Sequence, residues 1–101
     1  MIRGTTPTLT FTTPYESDMI SSGFITFTMR GKFLFEIEIN DDSVEISDYA
    51  ISVTLTQEQT LLFDSRFVSL VQVRLILSSG EVVASNVVTV PIEDILKDGT
   101  I

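Results

Sequence analysis

The chain has no cysteine, no histidine and no tryptophan among its 101 residues, and only 6 lysines and arginines. Without cysteine there are no disulfides, thiolate metal sites or thiol nucleophiles. The missing histidine removes more chemistry, because it is the usual general base and the commonest metal ligand. Serine and threonine are plentiful, yet a hydroxyl nucleophile needs a base beside it. Lys32, beside a turn, and Lys97, near the end, sit where lysine stays solvated and charged. The composition therefore argues against an enzyme. The six cations (Arg3, Arg30, Lys32, Arg66, Arg74 and Lys97) are scattered among 14 acids, for a net charge of −8. Nucleic-acid binding needs the reverse, a clustered basic surface. No apolar run approaches the roughly 20 residues that cross a bilayer, and MIRGTTPTLTF lacks the apolar core of a secretion signal. The glycines (4, 23, 31, 80 and 99) are too dispersed for a phosphate loop. Neither nucleic acid, membrane nor cofactor is expected as a partner.

What the sequence has in quantity is alternation. The length suits one domain over residues 1–101, with residues 1–6 (MIRGTT) as an extended arm, either frayed or added to a neighbour's sheet edge. Leu9 and Phe11 alternate with threonines between Pro7 and Pro14, as a half-buried strand does. A connection with one helical turn near Met19 and Ile20 follows. Then Ile25, Phe27 and Met29 share a face, and Arg30-Gly31 turns the chain. The return over 32–39 places Phe33, Phe35, Ile37 and Ile39 inward and Leu34, Glu36 and Glu38 outward. A short strand at 43–47 precedes the alternation of Tyr49, Ile51, Val53 and Leu55. Thr56-Gln57-Glu58-Gln59 has the form of a capping box, predicting a helical turn over 57–63.

The clearest hairpin joins 69–78 to 82–90 through Ser79-Gly80. Val71, Val73, Leu75 and Leu77 form its inner face, and the broken alternation at Ser85-Asn86 marks a β-bulge. Ile92, Ile95 and Leu96 fall at helical spacing, predicting a short helix over 92–97. About seven short strands punctuated by turns predict an all-β fold, an immunoglobulin-like β-sandwich without the usual cysteines or tryptophan. One sheet should hold the hairpins 24–39 and 69–90; the other should hold 7–13, 43–47 and 50–55. Phe67 stands near the position of a tyrosine corner but has no hydroxyl to make its bond.

Phe24, Leu34, Leu70 and Ile76 fall out of phase with the inner faces and project outward from the four-stranded sheet. An apolar outer patch of this kind marks a surface for protein partners or for a second copy. Asp41, Asp42 and Asp48 flank turns and offer oxygens of the type a hard cation takes, without EF-hand spacing. Glu36 and Glu38 read as a solvated strand face, and Glu93 and Asp94 as acids favourable to a helix start.

Four stretches carry a family resemblance. They are Met1-Ile2-Arg3-Gly4-Thr5-Thr6-Pro7-Thr8, Leu55-Thr56-Gln57-Glu58-Gln59-Thr60-Leu61, Ala84-Ser85-Asn86-Val87 and Leu96-Lys97-Asp98-Gly99. With these, nearly end to end, the chain resembles a family of small proteins of about this length encoded in phages and prophages of Gram-positive bacteria. In strand pattern alone it is also similar to the N-terminal domain of phage upper-baseplate proteins. The resemblance implies a tail, baseplate or head–tail component, found in the virion or in the host cytoplasm during assembly, with other phage structural proteins as partners. It carries over no catalytic or binding residue. A carbohydrate- or host-surface-binding module is the second functional reading.

Overall fold

The computed structural model describes residues 1–85 and 87–94. Its strands are β1 (Thr8–Thr12), β2 (Ile20–Met29), β3 (Lys32–Glu38), β4 (Val44–Ser47), β5 (Ala50–Thr54), β6 (Val68–Leu77), β7 (Val82–Ala84) and β8 (Val88–Pro91). A 3-10 turn at Ser17–Met19 and one short helix, α1 (Gln57–Leu61), complete the described elements. Among the described residues no helix is long and apolar enough to cross a membrane.

Two antiparallel sheets form, in the expected partition. One runs β1-β5-β4; the other runs β3-β2-β6, with β7 and β8 following one another along the far side of β6. In immunoglobulin terms these orders are B-E-D and C′-C-F-G. Facing side chains of both sheets build a single core: Phe11, Ile51, Val53 and Leu55 from one, Ile25, Phe27, Ile37, Val71, Val73 and Leu75 from the other. Phe27 lies at its centre, stacked on Phe35 at 4.5 Å between ring centroids and meeting Phe63 edge-on at 6.1 Å.

The turns follow from local chemistry. Arg30 and Gly31 both take positive φ (56° and 75°), the conformation a two-residue hairpin turn demands, which glycine adopts freely and arginine does not. Tyr49 also has positive φ (67°) and is exposed, so it is a turn residue and not the first member of the Ile51-Val53-Leu55 face. β2 begins earlier than its hydrophobic pattern suggests, because Ile20, Ser22 and Gly23 pair with Leu77, Ile76 and Leu75 of the long β6.

Helix α1 carries the complete capping box: the Thr56 hydroxyl accepts from the Gln59 N–H, and the Gln59 side chain accepts from the Thr56 N–H. On its inner side the fully buried Thr60 hydroxyl accepts from the Gly4 N–H at 2.9 Å and lies 3.0 Å from the carbonyls of Thr5 and Gln57. Thr60→Val keeps the shape but orphans the Gly4 N–H and the Thr5 carbonyl. It should lower the unfolding free energy by about 1–3 kcal/mol, read from the urea midpoint.

The N-terminal arm docks on its own chain. Ile2 forms a parallel bridge to Glu93, with Arg3 N–H donating to the Glu93 carbonyl and Glu93 N–H to the Met1 carbonyl. The Arg3 guanidinium reaches the carbonyls of Phe63 and Leu61 and the carboxylate of Asp94. This docking also corrects the start of the expected 92–97 helix, since Glu93 takes part in the bridge with Ile2. Residues 95–97 of that helix lie outside the described residues.

Candidate functional site

The outer face of the larger sheet is set by register. Phe24 sits between Arg74 and Glu38, Thr26 between Gln72 and Glu36, and Thr28 between Leu70 and Phe33. The β2–β3 pairing slips by one residue between Phe27 and Thr28, so Leu34 is the extra residue of a bulge. The slip reverses the expected phases on its turn side. Leu34 packs against the core instead of projecting from the sheet, and Phe33 lies outside, 63% exposed.

The four predicted interface residues are therefore not one patch. Arg74 donates to Glu36 at 3.1 Å, the Thr26 hydroxyl donates to the same Glu36 oxygen, and Gln72 donates to the Ser85 carbonyl. These form a polar band across the middle of the face. Phe24 lies on one side of it, beneath the Arg74 guanidinium at 5.7 Å, and Ile76 is beyond. Leu70 is on the other side, where it joins Phe33 and Val87. Phe33 (63%), Val87 (54%) and Leu70 (38%) are the exposed apolar groups here, rimming a depression of about 460 Å³ whose polar lining includes Thr28 and Gln72. Sequence reading found Leu70 and missed Phe33 and Val87.

A second concavity, of about 560 Å³, opens between the two sheets. Residues 10–15 border it on one side and Val83, Ala84, Ser85 and Val88 on the other, with Ile51, Val73 and Leu75 at its floor.

The acidic candidates are occupied locally. Asp41 accepts from the Ser43 N–H and hydroxyl, and Asp48 accepts from the Ser17 N–H and hydroxyl; these bonds hold both carboxyls below their ordinary range. They stand at opposite ends of β4, about 13 Å of strand apart, so they do not converge on one cation. Among the described residues no three acids are grouped to hold a metal. Asp64 is depressed furthest, to about 2, by its hydrogen bonds from the Arg66 side chain and then the Arg66 N–H. Its folded-state value lies below the unfolded one, so its contribution is complete above about pH 4 and is lost as pH falls through 2. An NMR titration should place the Asp64 carboxyl shift near 2, and Arg66→Ala should return it toward 3.8.

Against known proteins, no family model, no curated protein and no solved structure matches the chain.

Proposed function

We propose that this protein is a non-enzymatic virion or virion-assembly module of a phage, a tail, baseplate or head–tail component that works through protein–protein contacts. One observation carries the contact reading: three apolar side chains, Phe33, Val87 and Leu70, exposed together around a depression on the outer face of the larger sheet. An aromatic anchor beside a polar band that fixes orientation is the usual anatomy of such a surface. The resemblance of residues 1–8, 55–61, 84–87 and 96–99 to small phage and prophage proteins supplies the phage context. Partners are other phage structural proteins or further copies of the chain.

The same depression sets an aromatic ring beside Thr28, Gln72 and Arg74, as a sugar-binding surface does, so a carbohydrate- or host-surface-binding module is the competing reading. Light scattering over a dilution series, alone and with the products of neighbouring genes, separates the two. Mass above that of one chain is expected, and Phe33→Asp should weaken the association by about tenfold or more. A strict monomer that binds only cell-wall glycan sinks the proposal, and so does absence of the protein from both purified virions and their assembly intermediates.

A further inference from the structure

Among the described residues the sandwich is one strand short. An immunoglobulin-type sheet of this order carries a strand A beside B. Here β1 occupies the B position and pairs only with β5 among the described residues. Residues 1–3, ahead of β1, lie against Glu93 and not beside β1. A three-stranded sheet thus faces one with four strand positions, and the cleft of about 560 Å³ lies where the difference falls.

Both walls of that cleft are unfinished. Val88 is directly opposite Val71 and shares its inward face, yet Val71 is fully buried while Val88 is 41% exposed. Val83 and Val90, opposite buried Leu75 and Ser69, are only partly covered. On the other wall, the bonds from Leu55 N–H to the Pro7 carbonyl and from Thr13 N–H to the Tyr49 carbonyl fix the phase of β1. Alternation then turns the main-chain groups of Thr8, Thr10 and Thr12 away from β5, toward the cleft side.

The edges differ in a telling way. β3 is guarded by Lys32, Glu36, Glu38 and its bulge, and β4 is short and carries Glu45. β1 (TLTFT), β7 (VVA) and β8 (VTVP) hold no charge at all, in a chain of net charge −8. Charge blocks the two edges away from the cleft and is withheld from the two that border it.

We infer that this slot receives one extended strand donated by another polypeptide, completing the smaller sheet beside β1 and covering β7–β8. A row of main-chain donors and acceptors calls for a strand, and a neutral apolar lining calls for uncharged residues, apolar at alternate positions. β1 itself spans only about 17 Å, so the donor needs roughly five to seven residues. A second folded copy does not fit, because β7–β8 already lies beneath the vacant position and would meet the copy's own larger sheet. None of the apolar outer-face groups, Phe33, Leu70 and Val87, is used, so this inference and the proposed function can fail independently.

The test titrates the full chain into a fluorescently labelled heptapeptide, Thr-Val-Thr-Val-Thr-Val-Thr, and reads anisotropy. Saturable binding is expected, with slowed amide exchange at Thr8, Thr10 and Thr12. N-methylating either all threonines or all valines of the peptide should weaken binding by about tenfold or more for one set and not the other, since only one set faces β1. Loss with methylated threonines reports antiparallel addition, loss with methylated valines parallel addition. Val83→Asp should weaken binding similarly and Phe33→Asp should not; the methylated peptides probe the unaltered chain if Val83→Asp does not fold. No saturable binding, indifference to both methylation patterns, or loss on Phe33→Asp with retention on Val83→Asp overturns the inference.

Discussion

Gly23→Ala should destabilise the fold by about 3 kcal/mol or more, at or beyond the upper end of what an added methyl group does in a packed core. A Cβ on Gly23 would stand 2.3 Å from the Arg74 carbonyl oxygen, 2.9 Å from Ile39 Cγ1 and 3.1 Å from Leu75 Cα. The Ile39 side chain can turn away; the two backbone atoms cannot. They belong to the β2–β6 ladder, so relief requires the central strands to part where Gly23 faces Leu75. The Gly23 carbonyl also accepts the Ile39 N–H at 2.9 Å, which ties the same residue to the start of the crossing between sheets. At an open strand position the same substitution would stabilise by about 0.4–1 kcal/mol through the unfolded chain. The sign of the change in the urea midpoint is therefore the readout, and a variant as stable as the native chain refutes the close approach.

Phe27→Ala should cost about 3–5 kcal/mol, a large part of the 5–15 kcal/mol that holds a domain of this size together. Phe27 is fully buried and touches both other rings of the aromatic cluster, with Phe35 stacked at 20° and Phe63 at 60°. Truncation removes the member that couples β2 to β3 and to the segment after α1, and Phe35 and Phe63 remain 5.7 Å apart with a void beside them. Phe27→Leu, which refills most of that volume, should cost less than about half as much. Equal losses for the two variants would show that the ring contacts, not the volume, carry the stability; chemical denaturation with a constant m-value distinguishes these.

Most of the architecture was legible because one periodicity ran through it. The hairpins at Arg30-Gly31 and Ser79-Gly80 announced their own turns, and Thr56-Gln59 announced its cap; each is a local signal that tertiary packing did not override. The bulge near Ser85 was also visible: the pairing changes register by one residue between Ala84 and Val88, as the broken alternation required. The candidate site was less legible, and the reason is a conflict within one hairpin. With Met29 opposite Lys32, an unbroken ladder sets Phe27 opposite Leu34, yet the phase of Ile37 and Ile25 sets Phe27 opposite Phe35. One residue had to be extra. The run Phe33-Leu34-Phe35, apolar throughout, gave no polar residue to say which, and extending the phase of Ile37 back to the turn put Phe33 inside and Leu34 outside. The bulge exchanges them. The arm and Glu93 could not be read at all, since a parallel bridge between residues 2 and 93 leaves no trace in local pattern.

That bridge has a mechanical meaning. Residues 1–3 and 93 run parallel, joined by the Arg3 and Glu93 amides at 2.8 and 2.7 Å and reinforced by the Arg3 guanidinium on Phe63 and Asp94. Tension applied between residue 1 and residue 94 pulls two parallel segments past one another along their length. The hydrogen bonds, which lie across that direction, are then loaded together in shear and do not open one after another as in a zipper. A pull between these two residues therefore meets the Arg3 and Glu93 amides and the Arg3 side chain as one set of contacts.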